Sequence, residues 1–180
     1  MKKIIAIFIT LLSSIAVKAQ TTSTAASQQV NLALTDAIAI SFVNTGTTSG
    51  AAITMNFKTV KNYSAGVTSA AQQLKVQSNK NFTISVQANS ASFSYSGGTS
   101  PAPVMPVGIL NVEVTANGTG GTIASPFTRF SSLSASSQNL ITNGSYGGNR
   151  TFSIKYKATP GFSYPAGTYT TTVVYTATQP

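Results

Sequence analysis

Apolar and polar residues alternate with a period of two through most of this chain, and this pattern constrains its fold more than any other feature. In residues 82–88, FTISVQA, the residues Phe82, Ile84, Val86 and Ala88 point one way and polar residues point the other. The stretches that alternate in this way are 30–42, 51–57, 72–78, 81–89, 108–116, 150–158 and 168–178. Such a pattern is typical of antiparallel strands with one buried face and one solvated face.

Clusters of glycine, proline, asparagine and serine separate these stretches. They are NTGTTSG, YSGGTSPAP, ANGTGG, TNGSYGGN and TPGFSYPAG, and such clusters mark turns. No stretch after residue 20 shows the 3.6-residue period of an amphipathic helix. About seven to nine short strands punctuated by turns predict an all-β fold, an immunoglobulin-like antiparallel β-sandwich. A closed barrel is the alternative.

The first 19 residues have the features of a secretory signal peptide. Lys2 and Lys3 precede a short apolar run, Ile4 to Leu12, and Val17-Lys18-Ala19 resembles a cleavage site. We therefore expect residues 1–19 to be removed, with export to the periplasm, the cell surface or the extracellular space. Residues 20–29 read as a flexible polar lead, and residues 30–180 as one sandwich domain. The chain has no cysteine, so packing rather than disulfides must stabilise it.

The apolar stretch after this lead is too long for one ordinary strand, and Asp36 within it indicates a bend. Residues 28–35, with Val30, Leu32 and Leu34 on one face, then form a separate segment. The segment has two possible fates. It pairs within its own domain, which the sequence favours because most strands pair with close neighbours, or it leaves to complete a neighbouring subunit.

The C-terminal stretch reads as one last strand, from about Thr168 to Thr178, after a turn that contains Pro165 and Gly167. We expect this strand deep within one sheet, where it closes the sandwich. Tyr169 fits the position of a tyrosine corner, whose hydroxyl holds the preceding turn. An ordinary core tyrosine with a solvated hydroxyl fits equally well.

Four segments together resemble secreted pilin-type sandwiches, namely class 5 chaperone–usher fimbrial subunits and spore-coat-U-type domains. The segments are VNLALTDAIAI, LKVQSNKNFTISVQAN, RTFSIKYKAT and YPAGTYTTTVVYTAT. The resemblance implies a pilin-like structural or adhesive subunit of a fimbrium or cell surface. It also implies polymerisation by donation of the N-terminal strand, residues 28–35, with Val30, Leu32 and Leu34 as the inserted side chains. The implied partners are copies of itself or other fimbrial and surface subunits.

The chain has few residues that could support catalysis. It lacks histidine, cysteine and tryptophan, and Asp36 and Glu113 are its only acidic residues. General acid–base catalysis, zinc and calcium sites all need groups that are missing here. We therefore expect no enzyme activity, no catalytic or metal-binding residues and no cofactor.

The formal charge of +9 falls to +6 once the three lysines of residues 1–19 are removed. The remaining cationic residues are scattered, which argues against nucleic acid and leaves a weak attraction to anionic glycans. Binding of a polysaccharide or another surface polymer by a monomeric module is the alternative function, and Tyr95 and Tyr146 are its candidate exposed aromatic contacts. No second long apolar run follows residue 19, so we expect no transmembrane segment in the processed chain.

Overall fold

The computed structural model describes residues 24–180, and within them almost all regular structure is β-strand. Seven strands have five or more residues: β1 (Ile38–Phe42), β3 (Gln72–Ser78), β4 (Phe82–Ala88), β6 (Leu110–Asn117), β9 (Gln138–Gly144), β10 (Gly147–Ala158) and β12 (Val173–Thr178). The short strands are β2 (Val67–Thr68), β5 (Ser94–Ser96), β7 (Thr122–Ile123), β8 (Ser131–Ser132) and β11 (Thr168–Thr170). The two helical elements are α1 (Val60–Ala65) and a 3-10 turn (Val107–Ile109).

The strands form two main antiparallel sheets, which confirms the predicted all-β sandwich. Sheet 1 has the order β1-β3-β10-β6-β8, with β2 also paired to β10. Sheet 2 has the order β12-β4-β9-β7, and β5 and β11 form a separate two-stranded ribbon. Buried side chains of both sheets belong to one hydrophobic cluster, so the inner faces of the two sheets share a common core.

Much of the core consists of apolar positions that alternation predicts, although Phe127, Leu140 and Ile141 are also buried and lie outside the alternating stretches. Leu74 and Val76 of β3, Ile84 and Val86 of β4, and Ile154 of β10 are at most 1% exposed. The alternation fails at Ala116, which was expected to point inward and is exposed. The pairing register of β6 with β10 shifts next to this residue, and such a β-bulge reverses the facing of the residues beyond it.

The sequence also missed α1, which has only six residues and buries none of them. Thr59 caps it: the Thr59 side chain accepts a hydrogen bond from the Asn62 amide, and the Asn62 side chain accepts one from the Thr59 amide. A helix this short shows too few turns for a helical period, so only the Thr-x-x-Asn pattern of a capping box could have indicated it.

Thr35–Pro180 form one compact unit, whereas residues 24–37 contain neither a helix nor a strand. The first strand begins at Ile38, two residues after Asp36, so Asp36 lies outside the strand, and the expected bend is not seen at Asp36. The expectation that residues 28–35 form an ordinary first strand is wrong for this structure. The signal-peptide prediction falls outside the described residues, as do residues 20–23 of the predicted polar lead. None of the helices in residues 24–180 has both the length and the apolarity needed to cross a membrane.

Candidate functional site: an unpaired edge and an apolar groove

The last strand lies at the edge of sheet 2, which corrects the expectation that it closes the sandwich from within. β12 pairs with β4 through six residues, and no strand of the described chain covers its other side. The predicted strand is also interrupted, because Thr171 and Thr172 separate β11 from β12, and the Asn89 side chain accepts hydrogen bonds from both residues. An edge strand presents unpaired backbone N–H and C=O groups to its surroundings.

The edge of sheet 1 lies close to this edge of sheet 2. β1 is one of the two edge strands of sheet 1, and the ring of Phe42 meets that of Tyr175 edge to face at a centroid distance of 6.3 Å. The ring of Phe152 is also 6.3 Å from that of Tyr175. The two sheets therefore meet here through aromatic contacts between their inner faces, and no strand of residues 24–180 spans the gap between their edges.

A groove of about 990 Å³ opens along this side of the sandwich. It is bounded by β1, by the segment 48–58, by residues 164–172 and by β12. Apolar side chains line its interior, among them Ile40, Phe42, Met55, Val173 and Tyr175. Its volume lies at the upper end of the range of about 300–1,000 Å³ found for ligand-binding pockets, so the groove is large enough for an extended peptide segment.

One wall of the groove is a segment that was expected to be a strand and is not paired as one. Ile53, Met55 and Phe57 alternate as predicted, and Met55 and Phe57 pack against the core. The backbone of residues 50–57 nevertheless makes no hydrogen bond to other backbone groups within the described chain. A segment with a strand pattern and no strand partner thus lines the same groove as β12.

The interior of the groove contains one polar contact between two tyrosines. The hydroxyls of Tyr156 and Tyr175 lie 2.7 Å apart, so each can satisfy the other. Burial raises the pKa of Tyr156 to about 12, and burial with the neighbouring Tyr156 raises the pKa of Tyr175 well above its usual value. Both hydroxyls therefore stay protonated at neutral pH, and the groove carries no charge at this point.

The loop at the end of the groove is held by tyrosine hydroxyls. Tyr169 donates to the carbonyl oxygen of Pro165 at 2.9 Å, which confirms the tyrosine-corner prediction. Tyr95 donates to the carbonyl oxygen of Ala166 at 3.0 Å, and its ring packs on that of Tyr169 with a centroid distance of 5.0 Å. Tyr95 is thus only partly exposed, and its hydroxyl is already hydrogen-bonded to the loop.

The other candidate aromatic, Tyr146, lies elsewhere. It occupies the turn between β9 and β10, its side chain is 64% exposed, and it does not line the groove. Its backbone is fixed, because its amide donates to Asn81 at 3.2 Å and its carbonyl accepts from Arg150 at 2.9 Å. The structure records no contact that joins Tyr95 and Tyr146 into one surface.

The side chains expected to insert into a neighbour are exposed. Val30 is 75% exposed, Leu32 83% and Leu34 90%. Exposure of large aliphatic side chains that alternate along a polar segment is informative about binding. Burying each of them in a partner would contribute about 1.5–3 kcal/mol to the free energy of association.

The carboxylates do not form a reactive pair. Asp36 forms an ion pair with Lys80 at 2.7 Å, and Glu113 stands opposite Lys155 in the pairing of β6 with β10. Residues 24–180 contain no group of three or more histidine, cysteine, aspartate or glutamate side chains that could hold a metal ion. No protein-family model and no curated protein matches this chain.

Proposed function

We propose that this protein is an exported structural subunit of the cell surface that polymerises by strand donation. In this proposal residues 28–35 of one copy enter the groove of the next copy and pair with β12. The observation that carries the proposal is the free edge of β12 beside an apolar groove of about 990 Å³. An added strand would gain backbone hydrogen bonds along the edge and bury alternate side chains in the groove.

The N-terminal segment has the pattern that such a groove requires. Val30, Leu32 and Leu34 alternate with Asn31 and Ala33, so an extended conformation places three aliphatic side chains on one face. At about 3.3 Å per residue these three side chains span roughly 13 Å. The segment contains no proline, so every residue can donate a backbone hydrogen bond.

The unpaired segment 50–57, which also lines the groove, supports the same proposal. Met55 and Phe57 already pack against the core, while the backbone of the segment lacks strand partners within the described chain. A strand that lies between β12 and residues 50–57 is positioned to bond to both.

Strand donation is tested with the purified protein and a synthetic peptide of residues 28–35, QQVNLALT. We expect the wild-type protein to form SDS-resistant ladders, and the labelled peptide to bind the monomer and protect the amides of β12 and residues 50–57 from hydrogen exchange. The variant Leu32→Asp should form no ladder yet still bind the wild-type peptide, because only its donor segment is changed. The matched control peptide QQVNDALT should not bind.

Two results would overturn the proposal. One is a wild-type protein that stays monomeric at every concentration and binds no peptide. The other is peptide binding that leaves exchange at β12 unchanged while it protects a different strand.

One observation favours the alternative function, a monomeric module that binds an anionic polysaccharide. Tyr146 is 64% exposed on a turn whose backbone is fixed, and the residues from 24 onward carry a net charge of +6. This function predicts salt-sensitive retention on an acidic polysaccharide matrix, weakened at least several-fold in Tyr146→Ala. Equal retention of the wild type and Tyr146→Ala would remove Tyr146 from consideration.

A further inference from the structure

The chain is fixed to the sandwich at the point where β1 begins, and one asparagine makes most of this attachment. The Asn79 side chain donates from Nδ2 to the carbonyl oxygen of Thr35 at 2.8 Å, and its Oδ1 accepts from the amide of Ala37 at 2.9 Å. The Asn79 backbone amide donates to the carbonyl oxygen of Ala37 at 3.1 Å. The side-chain amide thereby bonds to residues 35 and 37 as a neighbouring strand would.

The end of the acceptor strand joins the same group of contacts. Gln179 directly follows β12, and its Nε2 lies 3.0 Å from the carbonyl oxygen of Ala37, 2.9 Å from Ser78 Oγ and 3.1 Å from Asn79 Oδ1. We name Asn79, Gln179 and the backbone of Thr35–Ala37 the exit clamp. The Asp36–Lys80 ion pair lies beside it but is half exposed on both sides, so it adds little.

We propose that the exit clamp is the joint of the polymer: it fixes the point where the donor segment leaves and ties that point to the strand that accepts the next donor. This inference rests on the proposed function. A pull on the outgoing segment of one subunit would pass through Asn79 and Gln179 to β12, and from β12 to the incoming strand. Neither Asn79 nor Gln179 lines the groove, so each acts through position and not through contact with the inserted strand.

The clamp also fixes the length of the linker between subunits. The last inserted side chain is Leu34, and the clamp begins at the carbonyl of Thr35. No free residue separates the donated segment from the attachment point, so subunits joined in this way have little freedom to swivel. A stiff fibre with a constant repeat is the expected product.

The test compares Asn79→Ala and Gln179→Ala with Asn149→Ala, which changes an exposed asparagine on β10. Three measurements are made on each purified protein: binding of QQVNLALT, the temperature at which ladders dissociate in SDS, and hydrogen exchange at the Ala37 amide. We expect all variants to bind the peptide within two-fold of wild type. Asn79→Ala and Gln179→Ala should lose ladders at a lower temperature, and the Ala37 amide should exchange at least ten-fold faster in Asn79→Ala. Asn149→Ala should match wild type throughout.

The outcomes separate the clamp from the strand-donation proposal. If wild type forms ladders and the two clamp variants form equally stable ones, the clamp is not the joint. If both variants lose peptide binding as strongly as ladder stability, their effect is general unfolding and the inference is overturned. A wild-type protein without ladders or peptide binding overturns the proposed function and the joint with it, while exchange at Ala37 still reports whether Asn79 fixes the exit.

Discussion

At the scale of single residues, tyrosine hydroxyls form the hydrogen bonds that hold the loop at the end of the groove and the groove interior. Tyr169 holds the turn before β11, Tyr95 holds the neighbouring carbonyl, and Tyr156 and Tyr175 satisfy each other inside the groove. The sequence offered the first of these as one of two equally good interpretations of Tyr169, because a tyrosine corner is a local pattern. The other contacts join residues far apart in the chain, so no local pattern could reveal them.

The corner hydroxyl gives a direct prediction for the loop at the end of the groove. Tyr169→Phe removes the hydrogen bond to the Pro165 carbonyl and should lower the free energy of unfolding by about 1 kcal/mol. Urea denaturation measures this change. Tyr146→Phe is the matched control, because its side chain is exposed, and a change there as large as that of Tyr169→Phe would contradict the assignment.

The hydroxyl pair in the groove predicts a non-additive response. Tyr156→Phe leaves the Tyr175 hydroxyl without its partner and should cost about 1–3 kcal/mol of unfolding free energy. The double variant Tyr156→Phe/Tyr175→Phe removes both polar groups and should cost less than the two single changes summed. Simple additivity in a double-mutant cycle would show that the two hydroxyls do not interact.

The same pair makes stability depend on pH in the alkaline range. The pKa of Tyr156 rises from 10.0 to about 12 on folding, so the unfolded chain loses its proton first as pH increases. The stabilisation is complete below pH 10 and is lost as the pH rises toward about 12. Urea denaturation at pH 9, 10 and 11 should show this decline in wild type and a shallower one in the double phenylalanine variant. Equal slopes of unfolding free energy against pH in the wild type and the double variant would contradict this prediction.

At the scale of elements, the alternation of β3, β4, β6 and β10 predicted the core faces because each of these strands buries one side. The same pattern in residues 51–57 was wrong as a strand prediction, and β12 was wrongly placed inside its sheet. Alternation reports which side chains are buried, and Met55 and Phe57 are indeed partly buried. It says nothing about which backbone edges find a partner, since pairing depends on strands far away in the sequence.

The short helix gives a prediction at this scale, because its stability depends on its cap. Thr59→Ala removes the acceptor for the Asn62 amide and should lower the free energy of unfolding by about 1 kcal/mol, whereas Thr59→Ser should be nearly neutral. Chemical denaturation measures both. If Thr59→Ala is silent and hydrogen exchange at Asn62 is unchanged, the capping box does not stabilise α1.

At the scale of the whole molecule, the candidate site is the place where a two-sheet sandwich is left incomplete. The sequence indicated the segment that we propose as the donor, since Val30, Leu32 and Leu34 alternate with other residues along it. It could not indicate the acceptor side. The groove lies where the edges of the two sheets meet, and each sheet is built from strands that are far apart in the sequence. The sequence analysis placed β12 inside its sheet, whereas β12 is an edge strand that borders the groove.

An incomplete sandwich should gain stability when the missing strand is supplied. A ligand that binds only the folded state at 100 times its dissociation constant stabilises that state by about 2.7 kcal/mol. For a domain of this size that corresponds to roughly 5–10 °C in the thermal midpoint. The peptide QQVNLALT should therefore raise the midpoint of the Leu32→Asp monomer, measured by circular dichroism at 218 nm (a β-sheet wavelength), and QQVNDALT should not. A midpoint that neither peptide moves would mean that the free edge of β12 does not need a partner, and the groove would then be a surface feature without a strand to receive.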